Sequence, residues 1–392
     1  MIPSSPRLAH PLSRAGLLII FLLTFASIAA GASWTWNGAG GNVNWTTGAN
    51  WGGTAPTSAL TTDLVFDGST NPGTSGTPLN QNILNPFLLR GITYNSGAAT
   101  FYIGGQALQY DANGSNITQN SSSAQYIANN IDVVNKIGND TTTIILTGNG
   151  TGIVTLSGAV SPGSGQRDYA ISKTGTSTFV LSGANGYGGG TSVSAGTLLV
   201  NNTTGSGTGS GAVTVNGSGS TLGGTGIISG TVTLGNTAAG AILNPGQKGT
   251  AGTSGAVGTL STGSMTMTGT NVFHIDASGT ASTSWDKLNV TGAVTLGTTS
   301  TLEPSIASGL VFTWGSQYTI IANDGTDAIS GTFSNAANGS TITAGGYMFT
   351  VNYAGGTGND LVLTEVPEPA TWLGGTLALI AIAVTQHRRL HR

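Results

Sequence analysis

The chain has 392 residues, two or three ordinary domains by length alone. With no cysteine, 6% charged residues and a net charge of −3, it excludes disulfide staples, thiolate metal sites and an electrostatic case for nucleic acid. Its 64 glycines suggest a disordered polymer, but an apolar fraction of 38% laid out in short alternating groups excludes that and asks for ordered strands.

Residues 1–32 read as a signal peptide. Arg7 and Arg14 precede the apolar run from Leu17 to Phe25, and Ala30 and Ala32 offer small-residue cleavage positions. The expected partners there are the Sec translocon and signal peptidase, with a mature start near Ser33.

Residues 33–149 are expected to form an N-terminal β region and cap. Trp34, Trp36, Trp45 and Trp51 crowd its start, ahead of Asp63 and Asp67. The rings either cover an open hydrophobic end or form a sugar-stacking platform, and the end cap is the favoured reading.

Strand-like runs separated by Gly, Asn and Ser turns continue from about Trp34 to Thr364, among them Thr178–Ser182, Gly196–Val200, Ala212–Asn216 and Lys287–Thr291. Each is too short to fold alone, so they belong to a sandwich or to the coils of a solenoid. The scarcity of charge favours the solenoid. A charge repeated on successive coils about 4.8 Å apart would face its copy at about 0.9 kcal/mol even in water, whereas Ser, Thr and Asn can ladder. Asn201, Asn202, Asn216 and Asn236 are assigned to corners that demand left-handed backbone. The expected fold is all-β, a parallel β-helix with its glycine-rich part at 150–300.

The stretch from Phe179 to Asn201, FVLSGANGYGGGTSVSAGTLLVN, resembles the autotransporter-associated β-strand repeat, and the likeness extends over about Ser177 to Pro245. The resemblance implies an extracellular, right-handed parallel β-helix. A C-terminal translocator barrel, which needs many alternating ten-residue strands, has no counterpart, so another export route is expected.

Chemistry has few candidates in this body. In Phe273-His-Ile-Asp276 strand alternation puts His274 and Asp276 on one face, as metal ligands, a base with its orienter or, the favoured reading, a solvated strand face. Asp324 and Asp327 read as a loop. In the C-terminal β region and cap, 301–365, the segment from Gly355 to Leu363 fits the calcium-binding nonapeptide G-G-x-G-x-D-x-U-x, but a single copy supplies half a cage and reads as a glycine turn before the last strand. No catalytic residue, metal or cofactor is assigned.

Residues 366–392 order a stiff joint (Pro367, Glu368, Pro369), an apolar run (Trp372, Leu373, Leu377, Leu379, Ile380, Ile382, Val384) and a basic tail (Arg388, Arg389, Arg392). Helical, the run from Trp372 to Val384 covers roughly 20 Å against a hydrocarbon core of about 30 Å, a short transmembrane helix. By the positive-inside rule both termini face the cytoplasm. The order resembles the PEP-CTERM sorting signal of Gram-negative bacteria. That implies cleavage by an exosortase-type enzyme and an inner-membrane precursor passed to the envelope or extracellular matrix. The resulting expectation is a structural or adhesive surface protein, with exopolysaccharide as a candidate partner. The alternative is a polysaccharide-binding module or polysaccharide-degrading enzyme using the tryptophans with Asp63 and Asp67, or His274 with Asp276.

Overall fold

The computed structural model describes residues 31–111, 114–134, 142–163, 169–235, 240–247, 255–325 and 327–367. The described chain is all-β apart from two single 3-10 turns, Gly48–Trp51 and Ser282–Ser284. One face is a sheet of eleven strands from Ser33–Trp36 to Val294–Leu296, every neighbouring pair parallel. A second face has ten parallel strands, from Leu79–Gln81 to Thr301–Ile306. A third begins as four parallel strands, Phe87–Leu88 to Val160–Pro162, and resumes at Ile227–Ile228, Thr259–Thr262, Lys287–Val290 and Gln317–Asn323. The chain visits the faces in turn and returns to the first, coil after coil, which makes a parallel β-helix. Where the third face lacks regular strands, Asn185 bridges the coils: its Oδ1 accepts Val160 N at 2.7 Å and its Nδ2 donates to Gly207 O at 2.6 Å.

Alternation within each strand decides what fills the interior. On the second face Val154, Phe179, Leu198, Leu222, Leu243, Phe273 and Leu302 stack in register, all buried. On the first face the inward column runs Leu64, Ile92, Ile117, Leu146, Lys173, Val193, Val215, Leu234, Met267 and Leu296, aliphatic or thioether except for one lysine. Each such side chain taken from water contributes roughly 1.5–3 kcal/mol, which strands this short need from their neighbours.

Aromatic clusters close both ends of the stack. At the N-terminal end Trp45 lies edge-on to Trp51 and Phe87 at 5.5 and 5.6 Å, and Trp36 to Trp51 at 5.1 Å. At the other end Trp285 stacks on Tyr318 at 4.4 Å, with Phe312 and Phe349 packed edge-on. There the sheet turns antiparallel, with Asp360–Val366, Tyr347–Gly355 and Thr341–Ala344 added in that order beyond Gln317–Asn323, which ends the run of parallel coils.

The assignment of left-handed corners to asparagine is overturned. Among the described residues Asn71 alone, outside glycine, has a positive φ, so Asn201, Asn202 and Asn216 do not; Asn236 lies outside the described residues. Glycine takes those corners without a Cβ penalty. The asparagines work through their side chains instead: Asn201 Oδ1 accepts Thr225 N at 3.0 Å and Asn202 Oδ1 accepts Ile227 N at 2.9 Å.

Candidate functional site

Among the described residues a dense group of ionisable side chains surrounds His274. Val272–Ala277 and Thr301–Ile306 pair along their length, with His274 opposite Glu303 and Asp276 opposite Ser305. Phe273 and Ile275 fill the core, and His274 and Asp276 point away from it. They are nevertheless 4% and 0% exposed, which overturns the expectation of a solvated strand face. Beside Pro245 two antiparallel bridges form, Gly224–Gly246 and Gln247–Ala256.

Asp286 holds the cluster together. The strands Ile242–Pro245 and Val272–Ala277 pair only at Ile242–Val272 and Leu243–Phe273. In the gap beyond, Asp286 Oδ2 accepts Asp276 N at 2.9 Å and Asn244 Nδ2 at 3.1 Å, and Oδ1 accepts Gly258 N at 2.7 Å. Burial pushes this carboxyl up to about 7 against the pull of its backbone donors, with the Asp276 charge adding to the rise. His274 lies between two carboxylates, Nδ1 3.2 Å from Glu303 Oε2 and Nε2 3.4 Å from Asp276 Oδ1. A base with an orienter must also have an open side for its substrate. The His274 side chain is 5% exposed, and the geometry is that of a buried network that secures a break in the ladder.

Lys173, which sequence reasoning passed over, is a buried charge elsewhere in the stack. Strand parity with Ile171 places it in the inward column between Leu146 and Val193. Its Nζ reaches the corner between the first two faces and donates to Thr174 O, Gly175 O and Ala195 O at 2.7, 2.8 and 3.1 Å, 5.7 Å from the centre of the Phe179 ring. Three acceptors for three N–H bonds is the arrangement of an ammonium, although burial pulls the group down to about 8. Gly196 shapes this corner: its φ is +66°, and a Cβ there would sit 2.7 Å from Lys173 Nζ.

The other sequence candidates are dispersed. Trp36, Trp45 and Trp51 are buried in the end cluster and Trp34 is half-buried, so the rings form a cap and no platform. Asp63 pairs with Arg90, and exposed Asp67 accepts Gly68 N and Asn95 Nδ2. Asp324 and Asp327 lie on an exposed loop. Asp360 follows the glycine turn and spends its carboxylate on Asn323 N at 2.9 Å and Thr357 N at 3.3 Å. Among the described residues no three His, Asp or Glu side chains are placed to hold a metal ion, and no helix is long and apolar enough to cross a membrane. Ala32 and Pro367 stand at the two ends of the described body; Ala30, Glu368, Pro369, the apolar run and the basic tail lie outside the described residues.

Part of the first outward face is neutral. On the first face Ser172, Ser192, Thr214, Thr233, Thr266 and Thr295 stand in register on successive coils, the hydroxyl ladder that charge scarcity implied. On the third face a cleft of about 480 Å³ is lined by Thr259, Ser282, Thr283, Lys287, Gln317 and Thr319 beside Trp285.

Residues 171–200 match the family model of the passenger-associated-transport-repeat. The match takes in Lys173, Asn185 and Gly196 and overlaps the stretch whose resemblance was read from the sequence. No characterised protein matches the chain in a comparison with curated sequences.

Proposed function

We propose that this chain is an exported, non-enzymatic β-solenoid of the cell surface or extracellular matrix with a structural or adhesive role. In this reading residues 1–32 direct export, an exosortase-type enzyme cleaves near Pro367–Pro369, and Trp372–Val384 anchors the precursor in the inner membrane. Right-handed winding follows from the general preference of parallel crossover connections. The single observation that carries the reading is that the parallel stack, which includes a passenger-type repeat, spends its two wholly buried ions of opposite sign, Lys173 and Asp286, on joining its own coils. Intact mass and fractionation from the native host test it. A product starting near Ser33 and ending near Pro367, found outside the inner membrane, is expected; an uncut C-terminus in the inner membrane removes the sorting claim. Turnover of a polysaccharide that H274A abolishes would make the protein an enzyme.

A second reading, a polysaccharide-binding module, is favoured by the cleft on the third face. Among the described cations Arg90 is paired with Asp63 and Lys173 is buried, while Lys287 lines a concave surface of hydroxyls and an amide. Binding of an acidic oligosaccharide by the intact chain, weakened at least tenfold by K287Q, supports that reading; binding of neither acidic nor neutral oligosaccharides, or binding indifferent to K287Q, dismisses it.

A further inference from the structure

Four large hydrophobic side chains are exposed among the described residues, Leu84, Tyr126, Val311 and Trp314, and the last two share one loop. That loop runs from Ala307 to Ser316, ASGLVFTWGS, without a charge, between Thr301–Ile306 and Gln317–Asn323. Its inner side is fixed. Phe312 packs edge-on against Trp285, Tyr318, Tyr347 and Phe349, and Tyr347 Oη donates to Leu310 O at 2.7 Å. Its outer side presents Val311, 78% exposed, and Trp314, 67% exposed.

Single exposed hydrophobic residues carry little meaning by themselves. Position decides here. Gly315 N donates to Glu365 O at 3.1 Å and Glu365 N donates to Ser316 O at 2.9 Å, so Trp314 stands beside the end of the last strand, Asp360–Val366. Only the five residues from Pro367 to Thr371 separate that strand from the apolar run that starts at Trp372. Extended, they span at most about 17 Å. The polar layer on each side of a bilayer is roughly 5–8 Å thick. A body tethered this closely keeps the loop within reach of the headgroups.

We propose that in the membrane-anchored chain the Val311–Trp314 loop inserts into the lipid headgroup interface, with Trp314 as an interfacial aromatic anchor that holds the body against the bilayer. An indole joins an apolar body to one N–H donor, which suits that layer. The uncharged loop avoids the penalty of carrying an ion into it. The inference rests on the reading of Trp372–Val384 as a membrane anchor.

The test uses the full chain with W372F, in vesicles of phosphatidylcholine and phosphatidylglycerol, so that every remaining tryptophan lies in the body. Co-sedimentation reports anchoring, and quenching by lipids brominated near the headgroup end of their acyl chains reports insertion. Expected are co-sedimentation and a quenched emission component that W314S abolishes, with an unchanged unfolding temperature to show that the variant folds. Co-sedimentation with emission indifferent to bromination, or quenching that survives W314S, overturns the proposal and leaves the anchor standing. Failure to co-sediment removes both. Shielding of Trp314 without lipid, together with a doubled mass, would assign the patch to a second copy of the chain and equally overturn it.

Discussion

Lys173 in the central coils and Asp286 in the C-terminal third are both wholly buried, and each answers a different defect of the same stack. At the corner between the first two faces successive coils turn together and leave carbonyls pointing at one spot; a cation collects three of them. At the break between Ile242–Pro245 and Val272–Ala277 the ladder parts and leaves N–H groups instead; an anion collects those. The comparison teaches that the sign of a buried charge in a β-solenoid follows from which half of the peptide group the local geometry orphans.

The largest expected effect is D286A. It strands three donors in a dry site and is expected to cost about 3–5 kcal/mol in denaturant unfolding. A loss below about 1 kcal/mol would mean that the gap is not a sealed part of the structure.

K173M comes next. The apolar replacement suits the column between Leu146 and Val193 but abandons three carbonyls, for an expected loss of about 2–3 kcal/mol. G196A attacks the same corner through its +66° φ and the near contact with Nζ. The two substitutions are therefore expected to be non-additive in a double-mutant cycle, and strict additivity would separate the glycine from the lysine.

The pH dependence sharpens the contrast, because the two groups act with opposite slopes in separate windows. The folded Asp286 keeps its proton toward about 7, while the unfolded carboxyl loses it near 3.8, so stability present below the lower value falls as pH rises through the window. D286N is expected to flatten the slope. The folded Lys173 releases its proton near 8 and the unfolded lysine near 10.5, so stability rises with pH across that interval and is lost as pH falls back through 8. Thermal unfolding followed from pH 4 to 10.5 checks both slopes, and K173M is expected to remove the second.

The smallest effect concerns the neutral outer face. T214K with T233K puts two ammonium groups on adjacent coils in register, and their coupling is expected to cost about 0.5–1 kcal/mol beyond the single changes, shrinking in high salt. Coupling near zero at low salt would remove charge repulsion as the reason for this composition.

Much of the fold was legible in the sequence because its causes are local. Alternation in Val213–Val215 and Val232–Leu234 sets which side chains face inward, and the register of the coils stacks them. The hydroxyl ladder follows from the same logic of like residues meeting like across coils. Lys173 carried a signal that parity with Ile171 could have supplied, an inward lysine, but its acceptors include Ala195 on the next coil. Asn201 and Asn202 were placed near corners correctly and given the wrong task, since glycines absorb the left-handed backbone.

The sequence by itself determined the all-β class, the in-and-out alternation and the composition of the outer ladders, because each depends on neighbours one or two residues away or on the repeat. Only the tertiary structure decided that His274 and Asp276 are buried, that Asp286 joins three segments and that Trp314 lies beside the end of the last strand. Alternation tells which residues share a face; whether another stretch of chain then covers that face is a non-local event, and it is the covering that turns a solvated polar residue into a structural one.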